Sequence, residues 1–394
     1  MKYTFLFLLI LAFSCTSPQK QETIASTKDL NEMSLEEILE VPITFSDKEY
    51  TLEKINEINI PIDSVSSNSS AYPIYHDADT AQYYVQGNEA INSIDFYDLE
   101  KKELYKRVKF ERTGNQMISS TRKIFIKNAD SIYIFEDRYG RIDLVNINGE
   151  ILERYDLPKK HRHLIYTNMA SSFLVHKNKV YFCADIFSGR EPANITKEFI
   201  ETRNTTGIFD LVTRELAFED RTAPLYLANS NIIPEMLYTS NFFDENYTIV
   251  FTPLSGHIQY LKNEKNTQTI LRKKNFNKEM LKKMKRNSNG IRYDSYFSIF
   301  ADKKNDMFYT VVLEGIEEKD LDGNPNSYDD QLITIVIADE KFHHAGEITL
   351  PKDTHFRNIM ATKEGLLVSN ANPKNPNNDE SVLSFTLYKP KKIK

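Results

Sequence analysis

The chain has 394 residues, with 50 basic and 56 acidic side chains, a net charge of −6, 40% hydrophobic residues and no tryptophan. A chain this acidic is a poor match for a phosphate backbone, so nucleic acid is not an expected partner. Two cysteines, Cys15 and Cys183, cannot build a disulfide framework, which excludes a cysteine-stapled scaffold.

The N-terminus reads "MKYTFLFLLILAFSC", with nine apolar residues, Phe5–Phe13, behind Lys2. A spanning helix needs about 20 residues, so this run is the hydrophobic part of an export signal. Ala12, Phe13 and Ser14 before Cys15 resemble a relaxed lipobox. That resemblance implies removal of residues 1–14 and attachment of a diacylglycerol and an acyl chain to Cys15. Several chains anchor stably, since each buried methylene contributes about 0.8 kcal/mol. The alternative is a plain secretory signal with an incidental cysteine. Loss of Lys2 leaves 49 basic against 56 acidic residues, or −7. Thr16 and Ser17 follow the cysteine where an acidic retention signal would stand, so the expected address is the outer membrane, with the body facing the periplasm.

Residues 15–33 are polar and without periodicity, as in a flexible tether. In "SLEEILEVP", Ser34 and Glu37 form a capping box and Pro42 stops the helix within two turns. A single domain, 34–391, then follows, dominated by short strands rich in tyrosine and phenylalanine. Strand patterns centred near Tyr83, Tyr133, Tyr181, Tyr247, Tyr309 and Leu367 are spaced by 50, 48, 66, 62 and 58 residues. A second strand follows each ("NSIDFYDL", "GRIDLVNI", "TGIFDLVT", "GHIQYLK", "QLITIVIA", "VLSFTLYK"), and a third, more polar one follows all but the last. Such a unit cannot bury both faces until it stacks on its neighbours, the mark of a propeller. The expected fold is therefore all-β, a six-bladed β-propeller with a short N-terminal helix and one inserted amphipathic helix. "VPITFSDKEYTLEKI" is the candidate to supply the last blade's missing strand and close the ring. A pair of β-sandwiches is the rival fold.

Together with the lipobox and tether, "YYVQGNEAINSIDFYDLEKKELYKRVKFERTGNQ" and "YDSYFSIFADKKNDMFYTVV" resemble the TolB-like six-bladed propeller lipoproteins of Gram-negative bacteria, many of them domains of unknown function. The resemblance implies six blades and an outer-membrane address, and it carries over no active-site residues.

Three stretches bear chemistry. In "EEKDLDGNPNSYDDQ", Glu318, Asp320, Asp322, Gly323 and Asp329 fall at positions 1, 3, 5, 6 and 12 of an EF-hand-like calcium loop. No helices flank it, and a polar hairpin with Asp-Gly turn chemistry is the alternative. "RKKNFNKEMLKKMKR", residues 272–286, carries eight basic residues and one acidic. Phe276, Met280 and Met284 recur at helical spacing beside Leu281. Lys273, Lys274, Lys278, Lys282, Lys285 and Arg286 could grip an anionic glycan, a lipid headgroup or an acidic protein. Alternatively this is a solvated helix packed by its apolar stripe. His161, His163, His343 and His344 lack a third ligand at recognisable spacing and read as surface loop residues. Cys183 in "VYFCAD" reads as a small buried hydrophobe. No resident cofactor is implied, the chain is expected to be monomeric, and two function classes remain. One is a non-catalytic binding or scaffold module for a protein or glycan partner. The other is a propeller enzyme, a glycan or peptide lyase or hydrolase, with its site in the central channel.

Overall fold

The structure, a computed structural model, describes residues 29–393 except 71, 79, 137–138, 160–172, 185–195, 202–203, 220–223, 229–238, 245–246, 253, 263–264 and 285–288. Its strands, among the described residues, fall into six four-stranded antiparallel sheets. A long strand, β1 (Tyr50–Pro61), precedes them. The first sheet is β2 (Ile74–Ala78), β3 (Ala81–Asn88), β4 (Ser93–Asp98) and β5 (Glu103–Lys109). The second is β6 (Ile124–Asn128), β7 (Ser131–Glu136), β8 (Arg141–Val145) and β9 (Ile151–Asp156). The third comprises β10 (Leu174–His176), β11 (Lys179–Cys183), β12 (Thr206–Asp210) and β13 (Leu216–Phe218). The fourth comprises β14 (Thr239–Asp244), β15 (Tyr247–Phe251), β16 (His257–Lys262) and β17 (Lys265–Ile270). The fifth comprises β18 (Ser295–Asp302), β19 (Met307–Leu313), β20 (Ile333–Asp339) and β21 (His344–Thr349). The sixth is β22 (Ile359–Thr362), β23 (Gly365–Ser369) and β24 (Val382–Lys392), completed by β1.

The first strands of successive sheets touch in a cycle, β2 to β6, β10, β14, β18 and β22, and β22 returns to β2. Each of the first five sheets is a simple meander, and β22 to β24 continue the pattern, so the sheet-to-sheet connections and the turns between second and third strands share one rim of the ring. The fold is an all-β propeller. Its middle strands are buried on both faces because each sheet lies between two others: β4, β19 and β23 have every residue buried. This explains their continuous apolar runs. The layers between sheets are aromatic and branched. Tyr84 meets Phe385 at 4.9 Å between the first and sixth sheets, and Phe297 meets Phe356 at 4.8 Å between the fifth and sixth.

Three of the four strands per sheet were legible in the sequence. The first strands were not, because several, such as β10 with three residues and β22 with four, are too short to show a period. β1 closes the ring by pairing antiparallel with β24 from Tyr50 opposite Lys392 to Pro61 opposite Val382, with one bulge at Ile55. It starts nine residues later than the expected donor segment and runs past its end.

The capping box forms: Ser34 N–H donates to Glu37, and Glu37 N–H to Ser34 Oγ, opening helix α1 (Leu35–Glu40). Residues 29–33, at the end of the expected tether, pack on the body. Asp29 caps a 3-10 turn over Leu30–Glu32, Met33 is buried, and Gln268 donates to Asp29 at 2.7 Å. Helix α2 (Lys197–Glu201) and a 3-10 turn, Leu225–Ala228, were not foreseen. With α1 they form a cap whose core includes Ile38, Leu39, Cys183, Ile200, Tyr226, Leu281 and Met284.

The basic run is not a long helix. Among its described residues only α3 (Lys278–Lys282) is helical, with Asn277 Oδ1 accepting from Met280 N–H. Leu281 and Met284 are buried and Phe276 and Met280 pack beside them, so the apolar stripe does face the cap core. Arg272, at the head of the run, lies outside the helix. It is 4% exposed and donates to the carbonyls of Leu39 (3.0 Å), Val41 (3.2 Å), Ser255 (2.6 Å) and Ile38 at the end of α1. A cation there complements the helix C-terminus, while burial pulls its pKa down.

Removing the guanidinium strands these carbonyls in a dry site, so Arg272→Met should lower unfolding stability by about 3 kcal/mol or more. Lys278→Gln should change it by less than about 1 kcal/mol. Urea denaturation of both variants checks the contrast.

Buried histidines set the acid response. Neither ring nitrogen of His257 has a hydrogen-bond partner among the described residues, and burial pushes its pKa down to about 3. Burial also lowers His355 to about 4 and depresses His344 and His76. The folded chain thus refuses protons that the unfolded chain accepts below about 6.5, and stability falls as pH drops from there toward 4. His257 alone should account for about 2 kcal/mol lost between pH 7 and pH 5. Denaturation midpoints at the two pH values, with and without His257→Phe, measure it: the variant should show the smaller loss.

Candidate functional site

On the rim that carries the sheet-to-sheet connections, a cleft of about 610 Å³ opens between the first and second sheets. One wall is the serine-rich segment from Ser64 to Ser70 with Tyr72. The floor is Gln86, Gly87 and Asn88 at the end of β3. The far side is Glu89, Ala90, Ile91 and Arg122.

The sequence "DSVSSNSSAY" turns on its own hydroxyls. Ser66 donates to Asp63 at 2.7 Å, Ser67 Oγ accepts from Ser69 N–H at 3.3 Å, and Ser70 Oγ accepts from Tyr72 N–H at 3.3 Å. Such local bonds favour turns over strand. The floor then pins the segment: Gln86 Nε2 donates to Ser67 O at 2.9 Å and Asn88 Nδ2 to Val65 O at 2.7 Å. Asn68 Nδ2 reaches across to Asn378 Oδ1 of the sixth sheet at 2.9 Å. At Gly87 the second sheet's entry loop comes so close that a Cβ would stand 2.0 Å from Thr121 O, so only glycine fits.

Arg107 on β5 is the fastening. Its guanidinium donates to fully buried Asp95 on β4 (2.9 Å, twice), to Asp63 (2.6 and 3.2 Å) and to Ser66 Oγ (2.6 Å). Tyr97 OH adds a bond to Ser66 Oγ at 2.9 Å. The Arg107 hydrogen bonds hold the Asp63 carboxyl down at about 2, and Asp95 with Asp63 raises the arginine's own pKa.

The second sheet repeats the device. Asp143, fully buried, lies opposite Arg154 as Asp95 lies opposite Arg107. Arg141 donates to Asp143 at 3.0 Å, to Met117 O at 3.1 Å and to Glu136, while Arg154 donates to Met117 O at 2.9 Å. Burial pushes Asp143 up to about 6, with both guanidiniums opposing it. Each arginine therefore ties down the loop that enters its own sheet, and those two loops bound the cleft. The later sheets carry Phe209, Gln259, Thr334 and Ser384 after the matching Ile or Leu, none of them acidic. On the cleft's rim Glu89 and Arg122 form a two-pronged ion pair.

The residues singled out from sequence lie elsewhere. Cys15, His161, His163, Lys285 and Arg286 fall outside the described residues. In the calcium-like loop Asp320 is turned onto its own backbone, accepting from Asp322 N–H (2.9 Å) and Asn324 N–H (2.8 Å), with Gly323 at φ +85°. Glu318 lies 3.8 Å from Arg292, and Asp329 lies 3.5 Å from Arg357. Asp322 adds its N–H to that turn, and the four carboxylates do not converge. Among the described residues no group of three or more His, Cys, Asp or Glu could hold a metal ion. The arrangement is that of a polar hairpin, bridged from Lys319 to Pro325.

The basic run is answered from within. Lys273 is buried beside Asp294 (3.2 Å) and Glu314 (3.8 Å), Lys274 lies 3.8 Å from Glu49, and Lys278 and Lys282 both hold Glu40. His344 is buried against Glu347 rather than exposed.

Residues 49–348 match the family described as a domain of unknown function, DUF4221. The chain belongs to the DUF4221 family. A crystal structure of a DUF4221 member from Bacteroides vulgatus ATCC 8482 superposes with a TM-score of 0.70 at 17% identity, covering 88% of this chain and 100% of that one. A candidate exported protein from Bacteroides fragilis NCTC 9343 gives 0.50 at 8% identity, over 89% and 98%. At these identities the likeness concerns the fold. Among curated proteins no sequence matches this DUF4221 chain. No helix among the described residues is long and apolar enough to cross a membrane.

The cleft went unread in the sequence, although two signals were present: the serine density of "DSVSSNSS", and an "ID" strand answered by arginine 12 and 11 residues on, at Arg107 and Arg154.

Arg107→Met leaves Asp95 buried without its charge partner. It should cost about 3–5 kcal/mol of stability and speed amide exchange at residues 64–67 beyond the global change. Hydrogen exchange with mass readout tests this, and unchanged exchange there would show that the loop stands without the arginine.

Proposed function

We propose that this DUF4221 chain is a lipid-anchored, non-catalytic binding module of the cell envelope that receives a protein or glycan partner at the serine-lined cleft. The supporting observation is preorganisation. Buried arginine–carboxylate clusters fix both bounding loops before any partner arrives, which lowers the ordering cost of binding. The acidic groups nearest the cleft are engaged with arginines, Asp63 and Asp95 with Arg107 and Glu89 with Arg122. This favours holding a partner over transferring a proton to it. In this reading the six sheets are the blades of one closed six-bladed ring of TolB-like type. Cys15 carries the lipid, and the body faces the periplasm from the outer membrane. Calcium has no part in it, and chelator should leave the melting temperature unchanged.

Two measurements decide. Palmitate incorporation should disappear in Cys15→Ala, and persistence would remove the anchor from the proposal. Soluble envelope protein and glycan fractions, added separately to the mature chain, should give saturable exchange protection at residues 64–70 with one of them. Protection from neither would overturn the cleft as the binding site, and turnover of a component would make the chain an enzyme.

A further inference from the structure

We infer that the cleft takes an uncharged sugar ring, either free or at the end of a glycan chain, an inference that rests on the binding role proposed above. Charge is the first argument. Glu89 and Arg122, the two charged side chains on its lining, grip each other at 42% and 58% exposure. An anionic or cationic ligand would have to break a two-pronged ion pair to be recognised, whereas a neutral one leaves it whole.

Hydrogen-bonding capacity is the second argument. The amides of Gln86 and Asn88 are spent on holding the loop. The hydroxyls of Ser67 and Ser70 each accept a local backbone N–H, so each keeps its own O–H to donate. Walls that present hydroxyl donors beside fixed backbone match the hydroxyl and ring oxygens of a pyranose.

Shape and apolar surface supply the third argument. Val65, Ala90 and Ile91 line the same cleft as those serines, and a sugar ring likewise joins a C–H face to a polar edge. The volume of about 610 Å³ lies within the range of small-molecule sites, roughly 300–1,000 Å³.

The test is calorimetric titration of the mature chain with methyl glycosides of neutral hexoses, with maltose and lactose, with glucuronic acid and with a capped-peptide library. An array of immobilised neutral oligosaccharides runs in parallel to separate free sugar from glycan ends. The variant Ala90→Trp fills the cleft from an exposed position, and Glu89→Gln with Arg122→Met removes the ion pair. We expect a neutral saccharide to bind, to weaken at least about tenfold in Ala90→Trp, and to change less than about threefold in the double variant. Binding confined to glucuronic acid and lost in the double variant overturns the neutral assignment. Peptide binding blocked by Ala90→Trp overturns the sugar while leaving the cleft as the binding site. If no probe responds to Ala90→Trp, both the sugar and the cleft reading fail.

Discussion

Pairing of β1 with β24 is the contact on which the rest of the molecule depends, since a ring of sheets has an open seam wherever its ends fail to join. Eleven of the twelve residues of β1 stand in register with β24, and Ile60 and Leu383 in that seam are fully buried. The same stretch of chain does more than close the ring. Before β1, Arg272 binds the end of α1 to the fourth sheet's exit. After β1, the loop from Asp63 onward forms the cleft wall. Cap, closure and cleft are thus consecutive uses of residues 34–72.

Arginine fastens this chain where apolar contact cannot. A loop laid on a sheet edge brings carbonyls and carboxylates that need donors once water is excluded. Arg272 serves three carbonyls of one chain segment, and Arg107, Arg141 and Arg154 serve buried carboxylates together with loop groups. A guanidinium suits this task because its donors are fixed in a planar fork and its charge survives burial. The consequence is electrostatic economy: much of the basic surplus in residues 272–286 is consumed locally. Lys273 lies with Asp294, and Lys278 and Lys282 share Glu40, whose carboxyl they hold down at about 2.

Repeating strands and the capping box were legible because each is written in neighbouring residues. Buried middle strands such as "MFYTVVL" and "ITIVIAD" carry the repeat regardless of what lies between them. The short first strands were not legible because they hold too few residues to show a period, and the true extent of α3 was not because it is settled by contacts from distant sequence. Arg272 reads as one more charge on an amphipathic helix until α1, more than 230 residues earlier, is placed beside it. The calcium-like spacing leaves geometry open for a related reason. Asp320 satisfies its own loop's N–H groups, and spacing along the chain says nothing of which way a carboxylate turns. The cleft needed three segments, 63–72, 86–91 and 119–122, to meet. None of them carries a distinctive residue alone.

The position of the cleft follows from the closure. Its serine wall is the first connection after β1 and reaches the sixth sheet through Asn68 and Asn378, while its floor belongs to the first sheet and its rim to the second. A group held there contacts the segment that leaves the seam. Any ligand that binds only the folded ring stabilises it by mass action. Here that gain falls on the connection that leads out of the strand pairing completing the sixth sheet. Placing the fixed loop here means that Arg107 orders the cleft wall and also fixes how the chain leaves β1. Loop order and the course of the chain after β1 therefore share one set of hydrogen bonds, and a change that loosens Asp63 or Ser66 acts on both.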